Sequence, residues 1–187
     1  MQTQDHLDRA TTTSATNASR TLLFGLVLRQ LRRQHFAVLS TVGPSGQAQS
    51  AGVSFGVSAP GPPLTLYVMS RTHLQKARNV AQNPSVSLVV PLPRRLLWFL
   101  PPPTIHLRGR AELLAWTDAV GTAAFQQFWL GRRILAGYQA AAREGETRIC
   151  FIKITPDPVI STYMVGTSLW RLLGDMEAGA GTARIPQ

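Results

Sequence analysis

At 187 residues the chain is long enough for one domain with its own hydrophobic core and short for two. Hydrophobic residues make up 44% of it and charged residues 15%, which excludes a wholly disordered protein. The formal net charge is +10, but 17 arginines and two lysines are spread over many segments, none of them an aromatic-rich strand of the RNA-reading kind. The charge therefore favours an anionic cofactor or acidic substrate over nucleic acid.

The cysteine content and the termini set the expected cellular setting. A single cysteine, Cys150, cannot close an internal disulfide, and no Cys or His cluster offers a zinc framework, so no metal site is predicted. We expect a reducing, cytoplasmic environment. No stretch reaches the ~18 apolar residues that a membrane span needs. Residues 1–19 are polar and are expected to form a disordered tail, which leaves one domain over residues 20–187.

The first half of the domain reads as a helix followed by strands. Leucines and a valine spaced three and four apart predict an amphipathic helix over residues 20–34. Strands are predicted at Phe36–Val42, Ala48–Ser58 and Leu64–Ser70, the first two joined by the turn Gly43–Gly46. A short helix follows, with Thr72 as N-cap and Gln75 three residues on, and it ends at Asn83-Pro84.

The second half alternates strands with a longer helical region. Strands are predicted at Ser85–Val90, Thr104–Leu114, Arg148–Ile154 and Pro158–Tyr163, with an apolar, proline-rich excursion at 94–103. Residues 117–143 are predicted to form one kinked helix or two, with Gly131 and Gly137 as possible breaks, and a helical segment is expected near 169–176. Antiparallel strands joined by tight turns favour a small barrel over a parallel sheet.

The segment Tyr67–Val80 carries the chemistry, because a predicted strand runs directly into the start of a helix. Free N–H groups in a first helical turn bind anions, and Ser70, Arg71 and Thr72 add further donors. Lys76 lies near this first turn, where a cation opposes the helix dipole unless an anion is bound. The same spacing also fits a solvated surface lysine, so both interpretations stay open.

These residues resemble a known family. The run FAVLSTVGPSGQAQSAGVSFGV, then LTLYVMS, then a Lys-x-x-Asn-Val helix ending in Asn-Pro before SVSLVV, is similar to the core of the pyridoxamine-5′-phosphate-oxidase-like, FMN-binding split-barrel superfamily. The resemblance is close over residues 36–90 and looser beyond. It implies a mainly β (α+β) fold, a six-stranded antiparallel split β-barrel with flanking helices, in a homodimer with its cofactor between the subunits.

The resemblance also implies a set of cofactor-binding residues. Lys76 would hold the phosphate with Ser70 and Arg71 nearby, and the isoalloxazine would lie along the second strand, where small residues leave room for a flat ring. A bulge or barrel corner is the alternative explanation for Gly52 and Gly56. Trp170 would close over the partner subunit's cofactor or pack on the barrel. The complete set is Gly52, Val53, Ser54, Phe55, Met69, Ser70, Arg71, Lys76 and Trp170.

Cofactor and reaction follow from the same resemblance. The resemblance makes FMN the first choice of cofactor. Members of the vitamin-salvage branch carry Arg before the lysine, where this chain has Gln75, so the phosphate would be held by one cation fewer. The deazaflavin coenzyme is therefore the alternative and haem the third choice. The expected activity is a flavin- or deazaflavin-dependent oxidoreductase acting on a small, largely apolar substrate, an inference from the apolar residues 96–100. A non-catalytic flavin or haem carrier is the alternative. No catalytic acid or base is identified.

Two other signals in the sequence point to different functions. Residues 52–56 match G-x-S-x-G, the nucleophile elbow of α/β hydrolases, but the loop and strand that follow do not provide the helix that the elbow requires. Haem ligation by His73 or His106 stays open, because an axial imidazole needs no sequence partner nearby.

The excursion at 94–103 fits dimer packing, a cover over the cofactor or contact with lipid.

Overall fold

The structure is a computed structural model that describes residues 23–61, 63–93, 102–165 and 179–186. Its helices are α1 (23–33), α2 (Gln75–Gln82), α3 (Ala119–Gln126) and α4 (Trp129–Arg143). Its strands are β1 (Phe36–Val42), β2 (Ala48–Val57), β3 (Leu66–Arg71), β4 (Ser85–Pro91), β5 (Thr104–Ala115), β6 (Ile149–Pro156), β7 (Val159–Tyr163) and β8 (Ala180–Arg184). The expected Trp170, most of the excursion at 94–103 and the helical segment near 169–176 lie outside the described residues.

The strands form one antiparallel sheet that closes on itself. Their order is β4-β1-β2-β3-β6-β5-β7-β8, and β4 also pairs with β5, so that β1 to β6 make a closed barrel and β7 and β8 extend it from β5. The predicted six-stranded antiparallel barrel with flanking helices is thus confirmed. Strand β8 was missed because its sequence, AGTAR, buries only Ala183 and shows no run of alternating apolar residues.

Apolar residues pack in two layers around the barrel wall. The interior is filled by alternate strand residues, and α1 closes one end of it with the fully buried Val27 and Leu31. A second cluster lies outside the wall, where Tyr67 and Met69 of β3 pack under α3 and α4. No helix among the described residues is long and apolar enough to cross a membrane.

Two local expectations for the helices were wrong. Thr72 is not the N-cap of α2, since the helix begins at Gln75 with Leu74 as its N-cap and no side-chain capping bond, while the Thr72 N–H donates to the Arg148 carbonyl. The region 117–143 forms two helices, but the break is at Phe128, whose backbone is extended. Gly131 lies inside α4, where its missing side chain lets the helix pack against the end of α3.

The glycines of α4 provide a matched pair of substitutions. A Cβ on Gly131 would clash with the carbonyl oxygen of Phe125, whereas a Cβ on Gly137 would meet no atom within 4 Å. We expect Gly131→Ala to lower the free energy of unfolding by roughly 1–3 kcal/mol, because a packed backbone must shift. Gly137→Ala should raise it by up to about 1 kcal/mol, the difference in helix propensity. Urea unfolding followed by circular dichroism measures both, and equal effects at the two positions would contradict this packing.

Candidate functional site

The barrel wall is open between β2 and β3. These strands pair at only three positions, of which Phe55 opposite Val68 is the last. Beyond it, β2 continues pairing with β1 as far as Ala48, and β3 continues pairing with β6 as far as Arg71. The two strands therefore share a wall at one end and separate at the other, which creates a split in the barrel.

Backbone hydrogen-bonding groups of both strands face this split. The Phe55 N–H donates to the His35 carbonyl, on the β1 side of β2. Because successive strand residues direct their N–H and C=O groups to alternate edges, those of Gly52 and Ser54 point toward β3. By the same alternation the backbone N–H and C=O of Met69 in β3 point toward β2. Within the described residues no strand pairs with these groups, so they are available to a ligand with donors and acceptors along its edge.

A cleft of about 230 Å³ occupies the split. Its floor is the β2 edge, its walls come from β3, α3 and α4, and a lysine on α2 lies at its mouth. The lining residues are Gly52, Val53, Ser54, Met69, Lys76, Phe125, Ile134 and Tyr138. Apolar walls with one cation and one phenol suit a flat, largely apolar ligand that carries a negative group.

Helix α2 is held over the barrel by Asn79, which is 1% exposed. Its Nδ2 donates to Thr41 Oγ1 of β1 and to Gln49 Oε1 of β2, both at 2.9 Å. Its Oδ1 accepts from Gln75 Nε2 at 2.9 Å. Since Asn79 ties α2 to the strands that form the floor of the cleft, it fixes where Lys76, one turn earlier, enters the site.

Lys76 is half-buried, and its charge affects the thiol of Cys150 on β6. Burial raises the pKa of the Cys150 thiol, and the positive charge of Lys76 opposes that rise. No salt bridge is formed by Lys76 with any residue in the described ranges, in contrast to Lys153, whose Nζ lies 2.8 Å from Glu112. Lys76 thus carries a charge at the cleft that no carboxylate in those ranges neutralises.

Arg71 adds a second cation beside the cleft. Its guanidinium carbon lies 5.5 Å from the centre of the Tyr138 ring, and its Nε is 3.5 Å from Glu146 Oε2. Glu146 is engaged mainly by Arg148, whose side-chain hydrogen bonds lower the pKa of that carboxyl to about 2. Two arginines share one carboxylate, so positive charge is left over, and the Arg71 side chain is 39% exposed.

Tyr138 is a neutral donor on the cleft wall. Burial raises the pKa of its phenol, and the charge of Arg71 opposes that rise in part. The phenol is therefore protonated at neutral pH and can donate a hydrogen bond to a ligand in the cleft.

A family model decides the identity of the chain. The model described as pyridoxamine 5′-phosphate oxidase matches residues 26–163, more than half of the chain. The chain belongs to this family. The expected superfamily is thereby confirmed. The matched range contains every residue that lines the cleft. No curated protein matches the sequence.

Solved structures of similar fold accompany the family match. The haem storage protein HutZ from Vibrio cholerae has a TM-score of 0.55 and 15% identity, over 71% of this chain and 89% of HutZ. A haem-binding protein from Mycobacterium smegmatis has a TM-score of 0.56 and 15% identity, over 81% of this chain and 53% of that protein. A conserved hypothetical protein from Mycobacterium tuberculosis has a TM-score of 0.52 and 16% identity, over 70% of this chain and 78% of that protein. At these identities the likeness is one of fold.

Most of the cofactor-binding residues predicted from the sequence of this chain lie together at the cleft. Gly52, Val53, Ser54, Met69 and Lys76 line it, and Arg71 lies beside it against Tyr138. The side chains of Phe55 and Ser70 are fully buried. Phe55 belongs to the core, and the Ser70 hydroxyl makes one long bond of 3.4 Å to the Arg71 carbonyl. Neither side chain lines the cleft, so neither would contact a ligand there directly.

The two glycines of β2 have separate packing roles. A Cβ on Gly52 would come within 3.1 Å of the Phe36 ring, so the space at Gly52 is taken by that ring, which is itself 53% exposed. A Cβ on Gly56 would meet the backbone of Ala124 at 2.8 Å, so Gly56 permits α3 to pack on the sheet. The G-x-S-x-G pattern lies entirely within β2, and the strand–turn–helix of a nucleophile elbow is not formed there.

Sequence reasoning missed the cleft walls and the anchor of α2. Phe125, Ile134 and Tyr138 lie over fifty residues beyond β3, on helices whose packing against β3 no local pattern reveals. Asn79 was part of the Lys-x-x-Asn pattern, but its role depends on Thr41 and Gln49, which are distant in sequence. The one signal in the sequence was an asparagine between Ala77 and Val80, the two apolar residues that this short helix buries.

Removing the Asn79 amide tests its role as the anchor of α2. We expect Asn79→Ala to lower the free energy of unfolding by about 1–3 kcal/mol, because the Thr41 hydroxyl and the Gln49 amide lose their partner. Ser50→Ala is the matched control, since Ser50 makes only an exposed hydroxyl bond with Ser40 and its loss should cost less than about 0.5 kcal/mol. Urea unfolding measures both values. A loss at Asn79 as small as that at Ser50 would show that α2 is held by its apolar contacts alone.

Proposed function

We propose that this chain is a flavin-dependent oxidoreductase that binds FMN in the cleft between β2 and β3, with the deazaflavin coenzyme as the alternative cofactor. The observation that carries the proposal is the combination of an unpaired strand edge with two cations at one end of the same cleft. A flavin has hydrogen-bonding atoms along one edge of a flat ring and an anionic phosphate on a flexible tail. Lys76 and Arg71 suit the phosphate, and the peptide groups of Gly52 and Ser54 suit the ring edge.

The protein supplies binding, orientation and exclusion of water. When bound, the flavin supplies hydride or electron transfer to a substrate. Met69, Phe125 and Ile134 provide an apolar wall, which supports a small and largely apolar substrate. Tyr138 holds a proton at its phenol oxygen beside this wall and would donate a hydrogen bond to a ligand atom there.

The proposal includes a homodimer, because one chain provides only part of a cofactor site. Its cleft of about 230 Å³ is below the roughly 300–1,000 Å³ of pockets that enclose drug-sized ligands. Phe36 lies on the outer face of β1 next to Gly52 and leaves about half of its surface exposed. A second copy packed on this face would cover the Phe36 ring and enclose the ring end of the cofactor.

The dimer is tested by a substitution on that face. In size-exclusion chromatography with light scattering we expect a mass of twice the 20.4 kDa of one chain. Phe36→Glu should shift the protein toward the monomer and lower its affinity for FMN. Leu26→Glu on α1 is the control, since Leu26 is also an exposed apolar residue but does not line the cleft. A monomeric wild-type protein that binds FMN tightly would contradict the shared site.

The phosphate assignment is tested at Lys76. We expect Lys76→Ala to weaken FMN binding by about 10- to 150-fold, which corresponds to the ~1.5–3 kcal/mol of a hydrogen bond to a charged group. Riboflavin has the same ring and no phosphate, so its affinity should be the same for both proteins. Arg78→Ala is the control, because Arg78 is exposed on the same helix and does not line the cleft. Fluorescence quenching of the flavin measures each affinity, and an equal loss of riboflavin binding would place Lys76 at the ring instead.

The alternative function is a carrier that binds flavin or haem without turnover. His73, in the turn between β3 and α2, is half-buried, and its buried Nδ1 has no hydrogen-bond partner among the described residues. Imidazole is a usual axial ligand of haem, and Nε2 would be the nitrogen that binds the iron. Absorption titrations with FMN, the deazaflavin coenzyme and haem separate the possibilities. A Soret band lost in His73→Ala would favour the haem carrier, and a flavin spectrum bleached by a reductant and restored by an electron acceptor would favour the enzyme.

A further inference from the structure

A cavity larger than the cleft lies at the opposite end of the barrel. It has a volume of about 490 Å³ and is bounded by α1, the β2–β3 loop, the β6–β7 turn and the residues after β8. Most of its lining is aliphatic, aromatic or proline, as in Phe24, Leu28, Leu64 and Ile185. Its size falls within the range of roughly 300–1,000 Å³ that is typical of small-molecule sites.

One charged side chain lines this cavity. Arg32, on the face of α1 one turn after Leu28, contributes a guanidinium, and none of the described acidic residues lines the same walls. Its Nε is buried and has no hydrogen-bond partner among the described residues. Buried polar groups are normally satisfied, and a buried guanidinium donor suits a carboxylate best.

From this juxtaposition we propose a second ligand site, selective for an aliphatic carboxylate. The carboxylate would accept hydrogen bonds from Arg32 while the alkyl chain lies against the walls formed by Phe24, Leu28 and Ile185. The site is separate from the cofactor cleft. Leu64, two residues before β3, lines this cavity and Met69 of β3 lines the cleft, and five residues of extended chain span about 17 Å. A ligand here is too far away to exchange a hydride with a ring at Gly52–Ser54, so it would occupy an accessory site.

Decanoate and decan-1-ol are the probes, because they share one alkyl chain and differ in charge. We expect the wild-type protein to bind decanoate at least tenfold more tightly than decan-1-ol in isothermal titration calorimetry, and Arg32→Met to weaken decanoate by about 10- to 100-fold. Methionine keeps an apolar stem of similar length, so decan-1-ol should bind the variant as it binds the wild type. Arg32→Lys should restore part of the preference for the acid.

Two controls locate the site. Arg29→Met and Arg33→Met remove exposed arginines from the same helix and should leave the affinity for decanoate unchanged. Lys76→Ala should also leave it unchanged, which keeps this test independent of the proposed cofactor. Equal binding of decanoate to the wild type and Arg32→Met, loss of binding in Lys76→Ala, or no binding of either probe to the folded wild-type protein would each overturn the proposal.

Discussion

The early end of the β2–β3 pairing is the constraint on which the candidate site depends. Were the two strands paired over their full length, the peptide groups of Gly52 and Ser54 would be consumed in the sheet. Because the ladder stops at Phe55 opposite Val68, these groups stay available while both strands remain rigid through their other neighbours, β1 and β6. Packing of α3 and α4 on the outer face of β3 then turns an open edge into a cleft with apolar walls.

The mouth of the cleft is positively charged because the described cations there outnumber their carboxylate partners. Lys76 has no carboxylate partner in the described ranges, and Arg71 shares Glu146 with Arg148, which takes the shorter bonds. The low pKa of Glu146, about 2, records how firmly that carboxylate is already engaged. An anion in the cleft would therefore meet Lys76, which no described carboxylate neutralises, and Arg71, which has only a share of Glu146. Asn79 keeps this arrangement in place by fixing α2 on the two strands beneath it.

Strands β1 to β7 and their order of appearance were predictable, β8 was not, and the cleft was predictable only in part. A run of β-forming residues predicted β1 with the same first and last residues that the structure shows. The resemblance to a family placed Lys76 and Gly52–Ser54 in one region, and all of them line the cleft. Tyr138 and Phe125 were out of reach, since their position depends on how two helices pack across β3. The space predicted for a flat ligand at Gly52 holds the ring of Phe36, a contact between adjacent strands that periodicity does not reveal. Local patterns report which face is buried, and side-chain packing decides what fills it.

A crystal structure of the chain with a bound coenzyme tests the central claim most directly. With whichever of FMN or the deazaflavin coenzyme binds more tightly, the terminal phosphate should lie within about 3 Å of Lys76 Nζ and the ring edge within hydrogen-bonding distance of the Gly52–Ser54 backbone. A coenzyme bound elsewhere on the barrel, or a split whose strand edges are closed by the protein itself in those crystals, would contradict it.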